Sequence, residues 1–212
     1  MMPTARGRFI TLEGAEGVGK STHLPFISEW LRARGIEVVQ TREPGGTPLA
    51  EGIRGLFLSC GGMPAESELL LLFAARASHL REVIEPALVR GAWVICDRFT
   101  DATYAYQGGG RGIDSAWIAD LERRIQGHIN PDRVLLLDAP VAIGRGRVAA
   151  RRGAAVDRIE EEDDGFFERV RDVYLARARQ PGYRLIDASG SVEAVQRLLV
   201  EALGDLIDPC RP

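Results

Sequence analysis

The 212-residue chain is almost without lysine: its 27 basic side chains are 26 arginines and the single Lys20. Arginine carries a planar fork and lysine a compact ammonium on a flexible stem, so one retained lysine points to a position that needs a mobile point charge. Cysteine is nearly as scarce. Cys60, Cys96 and Cys210 are an odd number without metal-ligand spacing, and Cys96 lies in the apolar run Trp93–Cys96. That usage speaks against a disulfide framework or a thiolate metal site and fits a reducing cytoplasm. Long apolar runs are missing too. The longest, Leu69–Ala75, falls far below the roughly 20 residues of a membrane span, and Met1–Arg8 has no apolar stretch of signal-peptide type. The formal charge is only -3, with acids and bases interspersed, so no global field recommends nucleic acid or an anionic membrane as a partner. Any electrostatic function has to be local.

What is present is the material for one substantial core. A chain of this length with 45% hydrophobic residues predicts a single domain over 1–212. Five short apolar runs read as strands: Arg8–Glu13, Glu37–Arg42, Trp93–Asp97, Arg133–Asp138 and Tyr183–Asp187. Between them, helical patterns run over Lys20–Arg34, Leu49–Leu58, Ser67–Arg90, Asp114–Gln126, Pro140–Arg151, Phe166–Arg179 and Val192–Ile207. Strands this apolar are buried on both faces, and strand–helix alternation implies parallel pairing with right-handed crossovers. The expected fold is therefore α/β, a five-stranded parallel sheet flanked by helices. Ligands of such sheets bind beyond the carboxyl ends of the strands, where Gly14, Arg42, Asp97, Asp138 and Ala188 would emerge. Gln107–Gly112 and Arg151–Arg158 read as mobile loops.

Gly14–Ala15–Glu16–Gly17–Val18–Gly19–Lys20–Ser21 fits the phosphate-loop pattern and lies between a predicted strand and a predicted helix. Glycines there let the backbone wrap an anion, while the amides and the helix N-terminus point positive charge inward. Lys20 would bridge the outer phosphates, Ser21 would offer its hydroxyl to Mg²⁺, and Thr22 continues the loop into the helix. Asp97 ends the apolar run Val94–Asp97. Taken alone it could be a capping residue, but beside a phosphate loop it suits a carboxylate that positions hydrated Mg²⁺. The pattern predicts a P-loop NTPase fold that binds ATP. A guanine-nucleotide switch needs a second lysine in its base-reading segment, and a motor needs more chain; a small-molecule kinase remains. If its acceptor is also an anion, cations must flank both reacting groups. Arg42, Arg76 and Arg98 are available on the predicted acceptor side, and Arg147, Arg151, Arg152 and Arg158 in or beside the second loop.

At this point the chain resembles the thymidylate kinases, in the bacterial form that carries arginines in the lid. Beyond the phosphate loop the likeness includes Thr41–Thr47, Phe73–Arg76, Asp97–Arg98, Ala105–Gly112 and Asp157–Glu160, in order along nearly the whole chain. The resemblance implies an adenylate-kinase-like fold and transfer of the γ-phosphoryl group of ATP to dTMP, giving dTDP and ADP, with a lid at about 151–165. It implies that Phe73 stacks on thymine, although core filling explains that residue equally well, that Arg76 donates to a base carbonyl, and that Thr103 meets the ring nitrogen edge. It further places Pro44 and Gln107 in the dTMP site, gives the acceptor phosphate to Arg42 and Arg98, brings Glu16 to the sugar 3′-hydroxyl, and has Tyr106 crowd the 2′ position. Arg147 and the Asp187–Ser189 turn would border adenine. Ala15, Glu16 and Val18 leave the loop without an arginine, so Arg151 or Arg152 would supply charge to the transferring phosphoryl group, in a lid lengthened by Ala154 and Ala155. Members of this family are commonly homodimers. The open alternatives are a kinase for a different small acceptor and a nucleotide-binding module without turnover.

Overall fold

A computed structural model describes residues 6–150 and 158–207. The sheet has the five predicted strands within one residue at each end: β1 (Phe9–Glu13), β2 (Val38–Arg42), β3 (Trp93–Asp97), β4 (Arg133–Asp138) and β5 (Tyr183–Asp187). All pairings are parallel, in the order β2-β3-β1-β4-β5. Because β1 lies between β3 and β4, the chain leaves it at the point where the strand order reverses, which opens a crevice for a ligand. The segment that follows β1 is Gly14–Gly19.

The alternation of side chains along β1 builds two cores. Ile10 and Leu12 pack with Leu24, Ile27 and Leu31 of α1 (Lys20–Arg32) and with Val195, Leu199 and Leu203 of α9 (Val192–Ile207). Phe9 faces the other side, against Leu80, Ile84, Leu88 and Phe99, and by the two-residue period Thr11 and Glu13 share that face. Glu13 is wholly buried. This second layer also contains α2 (Pro48–Ser59), α3 (Ala65–His79), α6 (Ser115–Ile125), α7 (Val141–Ala149) and α8 (Asp164–Arg177).

Two helical expectations change. The run Ser67–Arg90 is not one regular helix: α3 widens into a π-helical turn at Leu80–Ile84 and continues as the short α4 (Glu85–Val89), with Pro86 at its start. Proline lacks the N–H that an uninterrupted α-helix needs, and the wide turn accommodates it. Gln107–Gly112, read as a mobile loop, continues from α5 (Thr100–Thr103) as a π-helix over Tyr104–Gly110 with Ala105, Tyr106 and Gln107 buried. Its glycines serve close approach. A Cβ on Gly109 would lie 2.8 Å from the Arg169 carbonyl oxygen, and one on Gly110 would lie 2.4 Å from the Phe166 ring, so only glycine lets this segment lie against α8. The second predicted loop falls mostly on 151–157, outside the described residues; from Arg158 the chain forms a turn that leads into α8.

Candidate active site

The loop Gly14–Gly19 is held in shape by its glycines and by a close neighbour. Gly14, Gly17 and Gly19 have φ of 137°, 73° and 96°, values that cost any residue with a Cβ. Gly17 faces Gly144 of α7: a Cβ on Gly17 would stand 2.1 Å from the Gly144 carbonyl oxygen, and one on Gly144 would stand 2.4 Å from that of Glu16. The phosphate-loop pattern leaves position 17 open and does not reach residue 144; only the fold discloses why both are glycine. Helix α1 begins at Lys20 after Gly19, which offers no side-chain cap. Its first amides are therefore available to an anion.

Beyond the carboxyl ends of β1, β2 and β3 lies a cleft of about 500 Å³, lined by Glu16, Gly17, Gly19, Lys20, Ser21 and Thr22 and by Pro44, Arg76, Thr103, Tyr106 and Gln107. Arg42, Asp97, Arg98 and Arg147 also line the cleft. Most of the residues singled out from the sequence thus come together. Lys20 Nζ donates to the carbonyl oxygens of Gly14 and Ala15, both at 2.8 Å. Burial first, and the charge of Arg98 second, pull its ammonium down to about 8. Val18, by contrast, is a core residue packed with Ile10 and Leu12.

Arg98 binds the other side of the same carbonyl: its Nη1 donates to Gly14 O at 2.9 Å and to the Tyr174 hydroxyl at 3.2 Å, and its Nη2 donates to the Tyr106 hydroxyl at 2.9 Å and pairs with Glu16. The Tyr106 hydroxyl in turn donates to Glu16 at 3.1 Å. Arg98 is also the one non-glycine residue at positive φ among the described residues, at 66°. That backbone turn carries its side chain from the end of β3 towards the loop after β1. Arg42 is half-exposed and paired with Glu51 at 2.9 Å.

Arg76 is buried and held from two directions. Its Nε donates to Glu43 at 2.7 Å and its Nη2 to the Thr103 hydroxyl at 3.0 Å, while Nη1 has no protein partner. Glu43 is itself bound by His79, whose other ring nitrogen lies 2.7 Å from the Thr41 hydroxyl. Gln107 donates to buried Glu68 at 3.1 Å. Phe73 does not line the cleft: it is 2% exposed, packs with Leu69 and Ile118, and lies behind Arg76, whose guanidinium carbon is 4.8 Å from its ring. Residue 72 precedes Arg76 by four positions, so the helical period sets it on the same face, and Leu72 does line the cleft. The spacing to Arg76 was the available signal for it. Phe57 and Arg54, both on α2, also line the cleft; their motifs carry no mark that would single them out.

Arg147 donates to the carbonyl oxygens of Ala188 at 2.8 Å and Ser189 at 3.3 Å, which joins it to the turn after β5. Asp138 lies at the end of β4 but accepts from Nε and Nη2 of Arg171 at 2.8 and 2.9 Å. Asp97 Oδ1 is buried without a hydrogen-bond partner. An orphaned carboxylate oxygen and the Ser21 hydroxyl on one cleft fit an oxygen-preferring divalent ion. Arg158 is paired with Glu68 and donates to the Phe57 carbonyl at 3.2 Å. Arg151 and Arg152 lie outside the described residues.

Comparison with known proteins agrees with this arrangement. The family model described as thymidylate kinase covers residues 12–199. A thymidylate kinase of Chromohalobacter salexigens is 60% identical over 195 residues, spanning 90% of this chain and 92% of the relative. One of Pseudomonas putida is 56% identical over 209 residues, 97% and 99% of the two chains. The crystal structure of thymidylate kinase from Ehrlichia chaffeensis superposes with a TM-score of 0.76 at 32% identity, covering 95% of this chain and 99% of that one. The chain belongs to the thymidylate kinase family.

Proposed function

We propose that this chain is a single kinase domain that moves the γ-phosphoryl group of ATP to dTMP, giving ADP and dTDP. The observation that carries the reading is the Gly14 carbonyl, on which Lys20 of the phosphate loop and Arg98 of the acceptor side both converge. Two cations from different strand ends, brought to one point of the cleft, suit two anionic groups that must meet there. The P-loop amides and Lys20 take the donor phosphates, and Arg147 with the turn after β5 borders adenine. Arg42 and Arg98 take the acceptor phosphate. An oxygen of that phosphate attacks the γ-phosphorus while the bond from the γ-phosphorus to the β–γ bridging oxygen breaks, and ADP leaves with the electron pair. The attacking oxygen is already ionised, so no general base is assigned.

Mg²⁺ would be held through Ser21 and Asp97. When bound, it neutralises charge on the donor phosphates. At the base end, Arg76 has one guanidinium nitrogen free for a carbonyl of thymine, with Thr103 and Gln107 beside it and Leu72 rather than Phe73 supplying apolar contact. Glu16 and Tyr106 take the deoxyribose side, Glu16 at the 3′-hydroxyl and Tyr106 against a 2′-hydroxyl. Arg151 or Arg152 is the proposed source of charge at the transferred group. No described helix is long and apolar enough to cross a membrane, and the exposed Leu49, Leu56 and Leu70 on α2 and α3 are the proposed homodimer face, for size-exclusion chromatography with light scattering to test. The reaction is tested by ADP release with ATP and each nucleoside monophosphate in turn. The reading requires dTMP to be the preferred acceptor and Lys20→Ala to abolish turnover with the fold intact. Tight ATP binding without ADP release from any acceptor would make the chain a non-catalytic nucleotide module.

A further inference from the structure

Arg98 has to leave Glu16 and meet an anion, yet its backbone stands in a conformation that disfavours L-residues. Something must hold it there. Its own amide donates to Leu12 O at 3.0 Å, and the Cys96 thiol donates to its carbonyl at 3.0 Å. The next amide, Phe99 N–H, donates to Glu13 Oε1 at 2.6 Å. The other oxygen of that carboxyl accepts from the Tyr174 hydroxyl at 2.8 Å, and the same hydroxyl accepts from Arg98 Nη1. Glu13 is the last residue of β1, immediately before Gly14, and Tyr174 is on α8. Both are buried. One carboxyl therefore ties the backbone just after Arg98 to the group that supports its guanidinium.

We infer that Glu13 and Tyr174 are positioning residues for Arg98, a buried brace that fixes its left-handed backbone and aims its guanidinium at the acceptor phosphate. Neither side chain lines the cleft, and neither needs to touch substrate. The inference rests on the reading of Arg98 as a ligand of that phosphate. A slack brace costs affinity for a phosphorylated acceptor and spares the nucleoside, which has no phosphate for Arg98 to hold.

The readout is the ratio of the dissociation constants of thymidine and dTMP, measured calorimetrically on the full-length protein. Tyr174→Phe removes one hydroxyl and keeps the ring that packs against Tyr106 and Val170. Its expected effect is a five- to tenfold fall in that ratio, with thymidine affinity within twofold of the parent and KM for ATP unchanged. Glu13→Ala lowers the ratio further, and Glu13→Gln, which keeps an acceptor for the Phe99 amide, restores most of it. Arg98→Ala is the reference and collapses the ratio. If Arg98→Ala collapses it while Tyr174→Phe and Glu13→Ala leave it at the parental value, the brace is refuted; should Glu13→Ala not fold, Tyr174→Phe decides alone. If Arg98→Ala itself leaves the ratio unchanged, the assignment of Arg98 to the acceptor phosphate fails instead.

Discussion

Raising the pH should weaken triphosphate binding through Lys20. In the free protein the ammonium is buried, rests on the Gly14 and Ala15 carbonyls, and has its pKa pulled down to about 8, by burial first and by Arg98 second. A triphosphate favours the charged form, so the bound lysine titrates higher than the free one. Below pH 8 the ammonium is present in both states and affinity is level. Above it, binding must take up a proton, and affinity falls tenfold per pH unit until the bound lysine also titrates. Between pH 7 and pH 9.5 the loss is about thirty-fold, on the order of 2 kcal/mol. Calorimetry with ATP and no acceptor, in two buffers of different ionisation enthalpy, reads affinity and proton uptake together. Lys20→Arg, which stays charged across this range, should lose the slope. Glu13 lies in the same range: burial, followed by Asp101, pushes its carboxyl up to about 8. Equal slopes in the parent and Lys20→Arg would refute the origin of the effect in Lys20, and loss of the slope in Glu13→Gln would then assign it to Glu13.

Glu13 also makes a prediction about stability. Its native pKa stands above that of an ordinary glutamate, so the folded state holds the extra proton and stability falls as pH rises from about 4.5 through 8. Chemical denaturation of Glu13→Gln should show a flatter decline across that window, and an unchanged profile would contradict the assignment. Gly144→Ala places a Cβ against the Glu16 carbonyl and should lower kcat/KM by about a hundredfold through displacement of the phosphate loop. The accompanying stability loss, from urea titration, is about 1–3 kcal/mol; parental kinetics would mean that the loop yields without consequence. Leu72→Ala should raise KM for dTMP about tenfold with KM for ATP unchanged, a larger effect than that of Phe73→Leu; the reverse order would restore Phe73 as the base contact. Tyr106→Phe removes the hydroxyl shared by Arg98 and Glu16 but keeps the ring, so it should weaken dTMP without improving the relative use of ribonucleotides. Tyr106→Ala should improve that relative use, and an unchanged ratio in the alanine variant removes the ring from sugar discrimination.

The phosphate loop, all five strands and the polar residues at their carboxyl ends are legible in the sequence because each rests on a local rule. Gly14, Gly19, Lys20 and Ser21 stand at fixed offsets between an apolar run and a helix, and the strands are short runs bounded by turns. The single lysine among 26 arginines marks the one position where the chain keeps a compact ammonium. What the tertiary structure decides is direction and partnership. The glycine-rich stretch at Gly108–Gly110 is a partly buried helical segment rather than a loop, because its missing side chains are space for α8, far downstream in the chain; Arg169 and Phe166 occupy that space. Phe73 and Leu72 are adjacent in sequence, yet helix geometry turns one into the core and the other into the cleft. Glu13 reads as the end of a strand, and only the packing of Tyr174 and Phe99 upon it makes it a support for Arg98. A lone sequence records which groups are available to bind phosphate; which of them are aimed at it depends on contacts between residues far apart in the chain.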